Sequence, residues 1–189
     1  NIIIYRLTKK LFKYVLILLF LGNILYANDN KEEYRLDPII IDTIKEVEGY
    51  KINGVFDEYI ISINTKKDKK RVKELGFKLV NNRVLKCFTE KYCVYTLNEL
   101  IKNKITNLDI GSYQLNYTYY KMENLKDYFI EKKTRVLVEN IIIGRINKYG
   151  YNWYAIAGYH NLKKKYNEKY QKIFKSKMEK LMKERTGWQ

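Results

Sequence analysis

The chain has 189 residues and a net charge of +16, from 37 lysines and arginines against 21 aspartates and glutamates. This length suits a single folded domain once a leader segment is removed. A strong positive charge is typical of proteins that bind nucleic acid or another polyanion, but an AT-rich coding bias explains a chain rich in Lys, Asn, Ile and Tyr equally well. Charge alone therefore assigns no function.

Residues 1–27 have the order of a secretory signal peptide. Four basic residues accompany the apolar run Tyr14–Leu21, and Ala27 offers a small side chain at the cleavage position, ahead of a polar stretch. The alternative is an uncleaved membrane anchor, although a spanning helix needs about 20 apolar residues and this run is shorter. We therefore expect an exported protein, periplasmic or extracytoplasmic, whose mature domain covers residues 28–189.

The cysteine and histidine content limits the kinds of site that the chain can form. One histidine, two cysteines and the lack of CxxC or HExxH motifs predict no metal site, and we expect no other cofactor. Cys87 and Cys93 flank the stretch Phe88–Tyr92. In the cytosol both would stay thiols, whereas in an oxidising compartment this spacing allows a disulfide. Because the leader predicts export, we expect the disulfide.

Residues 37–49 predict a helix that carries a candidate catalytic group. An aspartate at the N-cap and a proline at the first helical position start it, and a glycine ends it. Ile40 and Ile44 define an apolar face at helical spacing. Glu48 falls on that face, whereas Glu46 falls on the solvated face. In a chain this rich in charge, Glu46 fits a surface residue and Glu48 does not.

Residues 51–95 predict a small β-hairpin subdomain with an inserted helix. Two segments alternate or run apolar like strands, Glu58–Asn64 and Leu79–Cys87, and Cys93–Tyr95 could form a third strand. The charged segment Asp68–Leu75 predicts a short helix between the first two strands, ended by a glycine.

The remainder of the chain predicts helices, so the expected fold class is mainly α (α+β). Asp109 is interpreted as the N-cap of one of these helices, and the helix from Arg135 is expected to be central and buried because it is so apolar. The predicted helices are Thr96–Lys102 (opened by a capping box), Asp109–Met122, Arg135–Tyr149, Asn152–His160 and Asn167–Arg185.

Four segments, in order, resemble motifs of the goose-lysozyme-like (SLT-type) lytic transglycosylases. Ile44–Gly49 (IKEVEG) resembles their V-E-S-G segment, and Thr106–Asn116 (TNLDIGSYQLN) resembles their G-L-M-Q-I-N motif. Ala155–Asn161 (AIAGYHN) resembles A-Y-N-A-G or G-Y-Y-H-S, and Asn167–Phe174 (NEKYQKIF) resembles the final motif. The resemblance covers about Asp37–Phe174.

The resemblance implies a lysozyme-like helical domain with a small β-hairpin subdomain, in which Glu48 is the acid and then the base. It also implies that Gln114 and the backbone of Gly111–Tyr113 hold the sugar and that Tyr159 packs near the catalytic carboxyl. Tyr170 would close the cleft or stack on the glycan. The expected substrate-binding residues are Gly111, Ser112, Tyr113, Gln114, Asn116, Tyr159 and Tyr170.

The sequence departs from the family pattern at three places. Gly49 stands where relatives have a serine, and Ser112-Tyr113 replaces Leu-Met, which predicts a more polar cleft wall. His160 stands where many relatives have asparagine, and we interpret it as a cap or surface group, not a catalytic base. Asp109 is likewise interpreted as a helix cap, not a second catalytic carboxylate.

These residues predict one type of reaction. A carboxyl group donates a proton near neutral pH when apolar burial raises its pKa, and the apolar face of the first helix suits that role. With no paired carboxylate, the substrate's own N-acetyl or hydroxyl group must assist. The 1,6-anhydro product that the resemblance implies is then favoured over hydrolysis.

The expected function is that of an exported peptidoglycan lytic transglycosylase that cleaves the bond between N-acetylmuramic acid and N-acetylglucosamine. The family association adds a secretion or conjugation apparatus as a partner. The alternative is a lysozyme-like domain that binds glycan without cleaving it. Nucleic acid is not an expected partner, because a signal peptide argues against that interpretation of the charge.

Overall fold

A computed structural model describes residues 36–187, and helices make up 56% of them. A small antiparallel sheet completes the fold, so the predicted class, mainly α with some β, is confirmed. A short 3-10 helix, Leu125–Phe129, precedes the fourth α-helix. The α-helices are α1 (Pro38–Glu48), α2 (Lys66–Glu74), α3 (Glu90–Lys102), α4 (Glu131–Tyr149), α5 (Trp153–Ala157) and α6 (Lys164–Thr186).

Six short strands form two sheets. They are β1 (Lys51–Ile52), β2 (Val55–Phe56), β3 (Ile60–Ile63), β4 (Val84–Lys86), β5 (Leu108–Ile110) and β6 (Leu115–Asn116). The first two pair as a separate hairpin, and the other four form an antiparallel sheet in the order β4-β3-β5-β6. Ile61 of the central strand lies opposite Leu85 on one side and Ile110 on the other. All three side chains are buried, so this sheet forms one wall of the core.

Helix α1 begins and ends where the sequence predicts. The Asp37 side chain accepts a hydrogen bond from the Ile39 amide, and Pro38 occupies the first turn. The Gly49 amide donates to the carbonyl oxygen of Lys45 and closes the helix. Ile44 is fully buried, which confirms the apolar face. Glu48 is the last residue of the helix and therefore lies where the chain leaves α1.

Helices α1, α4 and α6 are joined at one carboxyl group. Asp42 of α1 accepts hydrogen bonds of 2.6 Å from both Arg135 of α4 and Arg185 of α6. Burial alone would raise the pKa of Asp42, but the hydrogen bonds from the two arginines outweigh it and lower the pKa. Phe174 of α6 is buried in the same core. The C-terminal helix is thus held by both apolar packing and charge.

The predicted start of α3 is wrong, whereas its predicted end at Lys102 is correct. The helix begins at Glu90 with Thr89 as its N-cap, so Cys93–Tyr95 is helical and not a strand. The proposed capping residue Thr96 lies in the middle of the helix and is buried. The buried residues Cys93, Thr96, Leu97 and Leu100 recur at helical spacing, and this longer period outweighs the local capping pattern.

The predicted helix Asp109–Met122 is also absent; the segment begins with the hairpin of β5 and β6. Gly111 and Gln114 both have positive φ, at +70° and +50°, which a continuous right-handed helix does not permit. Leu108 and Ile110 are fully buried on either side of Asp109 in the alternation of a strand. The motif that resembles G-L-M-Q-I-N is therefore a β-turn element of the sheet.

Helix α4 is not the central buried helix that its composition predicts. Its buried residues, Thr134, Val138 and Ile142, are spaced four apart and lie on one face. Val136 is 52% exposed. The apolar residues beside this face cover the core from outside, so the helix packs on one side only.

The predicted leader, residues 1–27, lies outside the described residues. Within residues 36–187, no helix combines the length and the apolar character needed to cross a membrane. Cys87 and Cys93 form a disulfide with Cα atoms 4.9 Å apart. The bond joins the residue that follows β4 to the first turn of α3, and both cysteines are buried. It therefore fixes the sheet against a helix.

Candidate active site

A cleft of about 740 Å³ lies between the end of α1, the sheet and the segment that follows α5. Glu48 lines it. Three of the expected substrate-binding residues, Gln114, Asn116 and Tyr159, line the same cleft. The fold therefore brings together the candidate acid and three of the seven expected binding residues, although they are far apart in the sequence.

Glu48 has a direct partner that the sequence did not predict. Its Oε1 atom lies 3.1 Å from Nδ1 of His160, and the Glu48 side chain is 16% exposed. The hydrogen bond to Glu48 is the main cause that raises the pKa of His160, against the opposing effect of burial. His160 is an exposed residue, as the sequence predicts for a surface group, but it also contacts the candidate acid.

Tyr170 supports the imidazole from the core side. The two rings are nearly parallel, at 7°, with their centres 4.7 Å apart. Tyr170 is 4% exposed, and its hydroxyl has no partner at hydrogen-bonding geometry among residues 36–187. Burial, followed by the charge of Glu48, raises the pKa of this hydroxyl. Tyr170 thus lies behind His160 and is not exposed to stack on a glycan.

Tyr159 lies beside the candidate acid, where the resemblance places it. Its hydroxyl donates a 2.6 Å hydrogen bond to the carbonyl oxygen of Tyr113. Burial and then the charge of Glu48 raise the pKa of Tyr159. This phenol therefore stays neutral and fixes the β5–β6 turn against the segment after α5.

The turn between β5 and β6 holds Gln114 in a defined orientation. The side-chain amide donates to the carbonyl oxygen of Gly111 over 2.8 Å and accepts from the Ser62 hydroxyl over 2.5 Å. At Gly111 a Cβ atom would collide with the carbonyl oxygen of Tyr128. The glycine is needed for this close approach, so Gln114 reaches the cleft on a rigid turn.

Asp109 supplies a second carboxylate to the cleft. Its two oxygens accept hydrogen bonds from Asn116, over 2.8 Å, and from Arg83, over 3.1 Å. Burial raises the pKa of Asp109, and the charge of Glu48 adds to that effect. The interpretation of Asp109 as a helix cap is wrong, because the residue belongs to a strand.

Like Tyr170, Ser112 and Tyr113 are expected binding residues whose side chains do not line the cleft. Ser112 and Tyr113 are buried, and the Tyr113 hydroxyl donates a 2.7 Å hydrogen bond to Glu131. Burial and this bond raise the pKa of Tyr113. The prediction of a more polar cleft wall at these positions is wrong, because both side chains are buried in the protein. Only the backbone of the two residues takes part in the turn.

Glu46 is not the solvated residue that the helix pattern predicts. Its side chain is 18% exposed, about as little as that of Glu48, because Lys51 of β1 contacts it at 2.7 Å. It does not line the cleft. What distinguishes Glu48 from Glu46 is therefore its access to the cleft and its histidine partner, and not the depth of burial.

The cleft also carries cations and no recognisable metal site. Arg83, Arg145 and Lys163 line it. Among residues 36–187, no group of three or more His, Cys, Asp or Glu side chains is placed to hold a metal ion. The charged groups of the cleft are thus suited to proton transfer and to binding an anionic or hydroxylated ligand.

The chain matches no protein-family model, no curated protein and no solved structure. A function must therefore be assigned from the geometry of the cleft. That geometry combines an accessible carboxyl, a histidine bonded to it, a second carboxylate, and the amide groups of Gln114 and Asn116. These are the groups needed to protonate a leaving oxygen and to hold a polar substrate.

Proposed function

We propose that this protein is an exported lytic transglycosylase with a lysozyme-like domain that cleaves the glycosidic bond between N-acetylmuramic acid and N-acetylglucosamine in peptidoglycan. One observation carries the proposal. Glu48, the expected acid, lines the same open cleft as Gln114, Asn116 and Tyr159, the motif residues expected around it. Local patterns alone would not bring four such residues from three separate segments to one surface.

The proposed reaction needs a single acid and base. The Glu48 carboxyl donates its proton to the glycosidic oxygen, and the electron pair of the breaking C–O bond passes to that oxygen. The resulting carboxylate then removes the proton from the C6 hydroxyl of the muramic acid. The C6 oxygen bonds to the anomeric carbon, which closes the 1,6-anhydro ring without consuming water.

The contacts of Asp109 favour this intramolecular route. Both of its oxygens are engaged by donors, one by Asn116 and one by Arg83. A carboxylate held in this way is poorly placed to attack the anomeric carbon or to activate water. Glu48 is therefore the acid in the proposal, and Asp109 organises the floor of the cleft.

The rest of the cleft suits a glycan that carries carboxylates. Tyr119, which is 78% exposed, offers an aromatic face on the rim of the cleft for the apolar face of a sugar ring. Arg145 and Lys163 form no ion pair within the described part of the chain, so they are available to the acidic groups of peptidoglycan. The resemblance adds a secretion or conjugation apparatus as a partner in the proposal.

The test is cleavage of purified sacculi by the mature domain and by Glu48→Gln. Because glutamine is nearly isosteric but cannot donate the proton, we expect the variant to keep its fold and its binding to sacculi. The rate of cleavage should fall by about 10²–10⁴-fold or more. Glu46→Gln is the matched control from the same helix, and it should cleave at nearly the wild-type rate.

The products decide the reaction class. Mass spectrometry should find 1,6-anhydromuramic ends, and reducing ends would instead indicate hydrolysis with Asp109 as a second catalytic group. Wild-type protein that binds sacculi without cleaving them would contradict the enzymatic proposal and favour a glycan-binding domain. Equal loss of activity in Glu46→Gln and Glu48→Gln would reject Glu48 as the acid.

A further inference from the structure

We propose that His160 is a positioning residue for this reaction, which holds the Glu48 carboxyl in place and shares with it the proton that reaches the glycosidic oxygen. This inference rests on the proposed function of Glu48 as the acid. In this inference, the proton on which turnover depends is shared by Glu48 and His160 and does not belong to the Glu48 carboxyl alone.

The geometry of the imidazole supports such a pair. Nδ1 of His160 lies 3.1 Å from Oε1 of Glu48, within hydrogen-bonding distance. The ring is held on one face by the parallel ring of Tyr170, which in turn packs against Phe174. The His160 amide also donates to the carbonyl oxygen of Ala157, which fixes the backbone. The ring nitrogen is thereby aimed at the carboxyl.

The charged groups around His160 come from several elements. Glu48 at the end of α1 and Asp109 of β5 favour the protonated ring. Arg83, which precedes β4, disfavours it, as does partial burial. Arg145 and Lys163 line the same cleft, and the neutral hydroxyl of Tyr170 belongs to the ring stacked on His160. The effect of the acidic partners is the larger one, so the pKa of His160 is raised. The ring therefore keeps its proton at pH values above those at which a histidine usually loses it.

Over one turnover, the Glu48–His160 pair regains the proton that it gives up. The imidazolium passes its Nδ1 proton to Oε1 of Glu48, and Glu48 passes a proton to the leaving oxygen as the C–O bond breaks. The C6 hydroxyl loses its proton to Glu48 when its oxygen bonds to the anomeric carbon. That proton returns to His160, and the pair again holds one proton. At a pH above the pKa of His160 neither residue of the pair carries this proton, so cleavage should stop.

The test uses the fact that His160 is the only histidine in the sequence. Its imidazole resonance can therefore be followed by NMR without assignment, while cleavage of sacculi is measured over the same pH range. In the wild type, we expect the alkaline loss of activity to coincide with the titration of His160. In Glu48→Gln, the His160 titration should move down toward the value of about 6.5 of a free histidine.

His160→Gln supplies the second arm, because an amide can hold the hydrogen bond but cannot titrate. We expect the alkaline limb of the variant to move to lower pH, because Glu48 must then hold the proton without the imidazole, and its rate should fall by up to about 10²-fold. An unchanged limb in His160→Gln overturns the inference, as does a His160 titration that is the same in wild type and Glu48→Gln. The latter measurement applies even if His160→Gln does not fold.

The outcomes separate this inference from the proposed function. If Glu48→Gln abolishes cleavage while His160→Gln keeps the wild-type pH profile, only the role of His160 is rejected. If Glu48→Gln cleaves sacculi normally, or the wild type does not cleave them at any pH, the proposed function fails and the inference fails with it.

Discussion

The environment of Glu48 is built from residues that lie far from it in the sequence. His160 is separated from it by 112 positions, yet contacts its carboxyl. Tyr159 and Tyr170 lie close enough for the charge of Glu48 to raise the pKa of each phenol, after the effect of burial. Because the acid comes from α1, its partner from the turn after α5 and the ring behind that partner from α6, each side chain acquires its role only from the folded chain.

At the scale of single residues, Gly111 offers a test of how the site is supported. Alanine at this position must adopt a left-handed backbone, and its Cβ must also displace the carbonyl oxygen of Tyr128. We expect Gly111→Ala to lower the free energy of unfolding by about 3 kcal/mol, measured by chemical denaturation.

Gly54→Ala is the matched control for that variant. Gly54 also has a left-handed backbone, with φ at +80°, but nothing lies within 4 Å of the Cβ that alanine would add. We expect it to lower the free energy of unfolding by only about 1 kcal/mol. Equal losses in the two variants would show that backbone strain alone, and not the contact with Tyr128, requires glycine at position 111.

At the scale of elements, the disulfide connects β4 to α3 across a sharp change of direction. Phe88, between the two cysteines, has a left-handed backbone with φ at +64° and is exposed. The cysteines themselves are buried against the core. The bond therefore restrains the loop that separates a sheet strand from a helix packed on the core.

We expect the double variant Cys87→Ala, Cys93→Ala to lower the free energy of unfolding by about 2–4 kcal/mol, because the disulfide limits the freedom of the unfolded chain. Denaturation with and without a reductant provides the measurement. Reductant should destabilise the wild type by a similar amount and leave the double variant unaffected. A wild type that is insensitive to reductant, with its thiols shown to be free, would contradict the expectation.

At the scale of the whole molecule, Asp42 joins α1, the first helix of the described residues, to α4 and to α6. It accepts one hydrogen bond from Arg135 and one from Arg185. Helix α6 also carries Tyr170, which supports His160 in the cleft. The attachment of α6 to α1 therefore bears on both the stability of the fold and the position of the site.

We expect Asp42→Asn to lower the free energy of unfolding at pH 7 by about 1–3 kcal/mol, since it weakens hydrogen bonds to two charged groups. The folded-state pKa of Asp42 is lowered, so the stabilisation is present above the unfolded value of about 3.9 and is lost as the pH falls through the folded-state pKa.

Thermal unfolding between pH 2 and 7 measures this difference, which should shrink as the pH falls. Glu99→Gln, which removes an exposed ion pair with Lys102 on α3, is the control and should change the unfolding temperature very little. A difference between the wild type and Asp42→Asn that stays constant down to pH 2 would contradict a role of the Asp42 charge.

The sequence predicted the parts of the fold that depend on neighbouring residues. The aspartate and proline that start α1 and the glycine that ends it act within a few positions, and the structure confirms both ends of the helix. The strand at Ile60–Ile63 follows equally from its composition. Where two local patterns competed, as at Thr96, burial of the longer apolar face decided the outcome.

The site could be predicted only in part. Glu48 and Gln114 follow from local pattern and resemblance, and both lie in the cleft. Asp109 was interpreted as a cap because its pairing with β3 depends on residues that are distant in the sequence. No signal in the sequence indicates that Arg83 contacts it, and none indicates that His160 pairs with Glu48, 112 positions away.

By itself, the sequence determined the fold class and both ends of α1, and it indicated the candidate acid. Only the tertiary structure decided that the Asp109 segment is a hairpin, that Glu46 pairs with Lys51 and that His160 contacts Glu48. The physical reason is the range of the interactions. Caps and helical periodicity act within one or two turns, whereas strand pairing, ring stacking and ion pairs form between segments that only the folded core brings together.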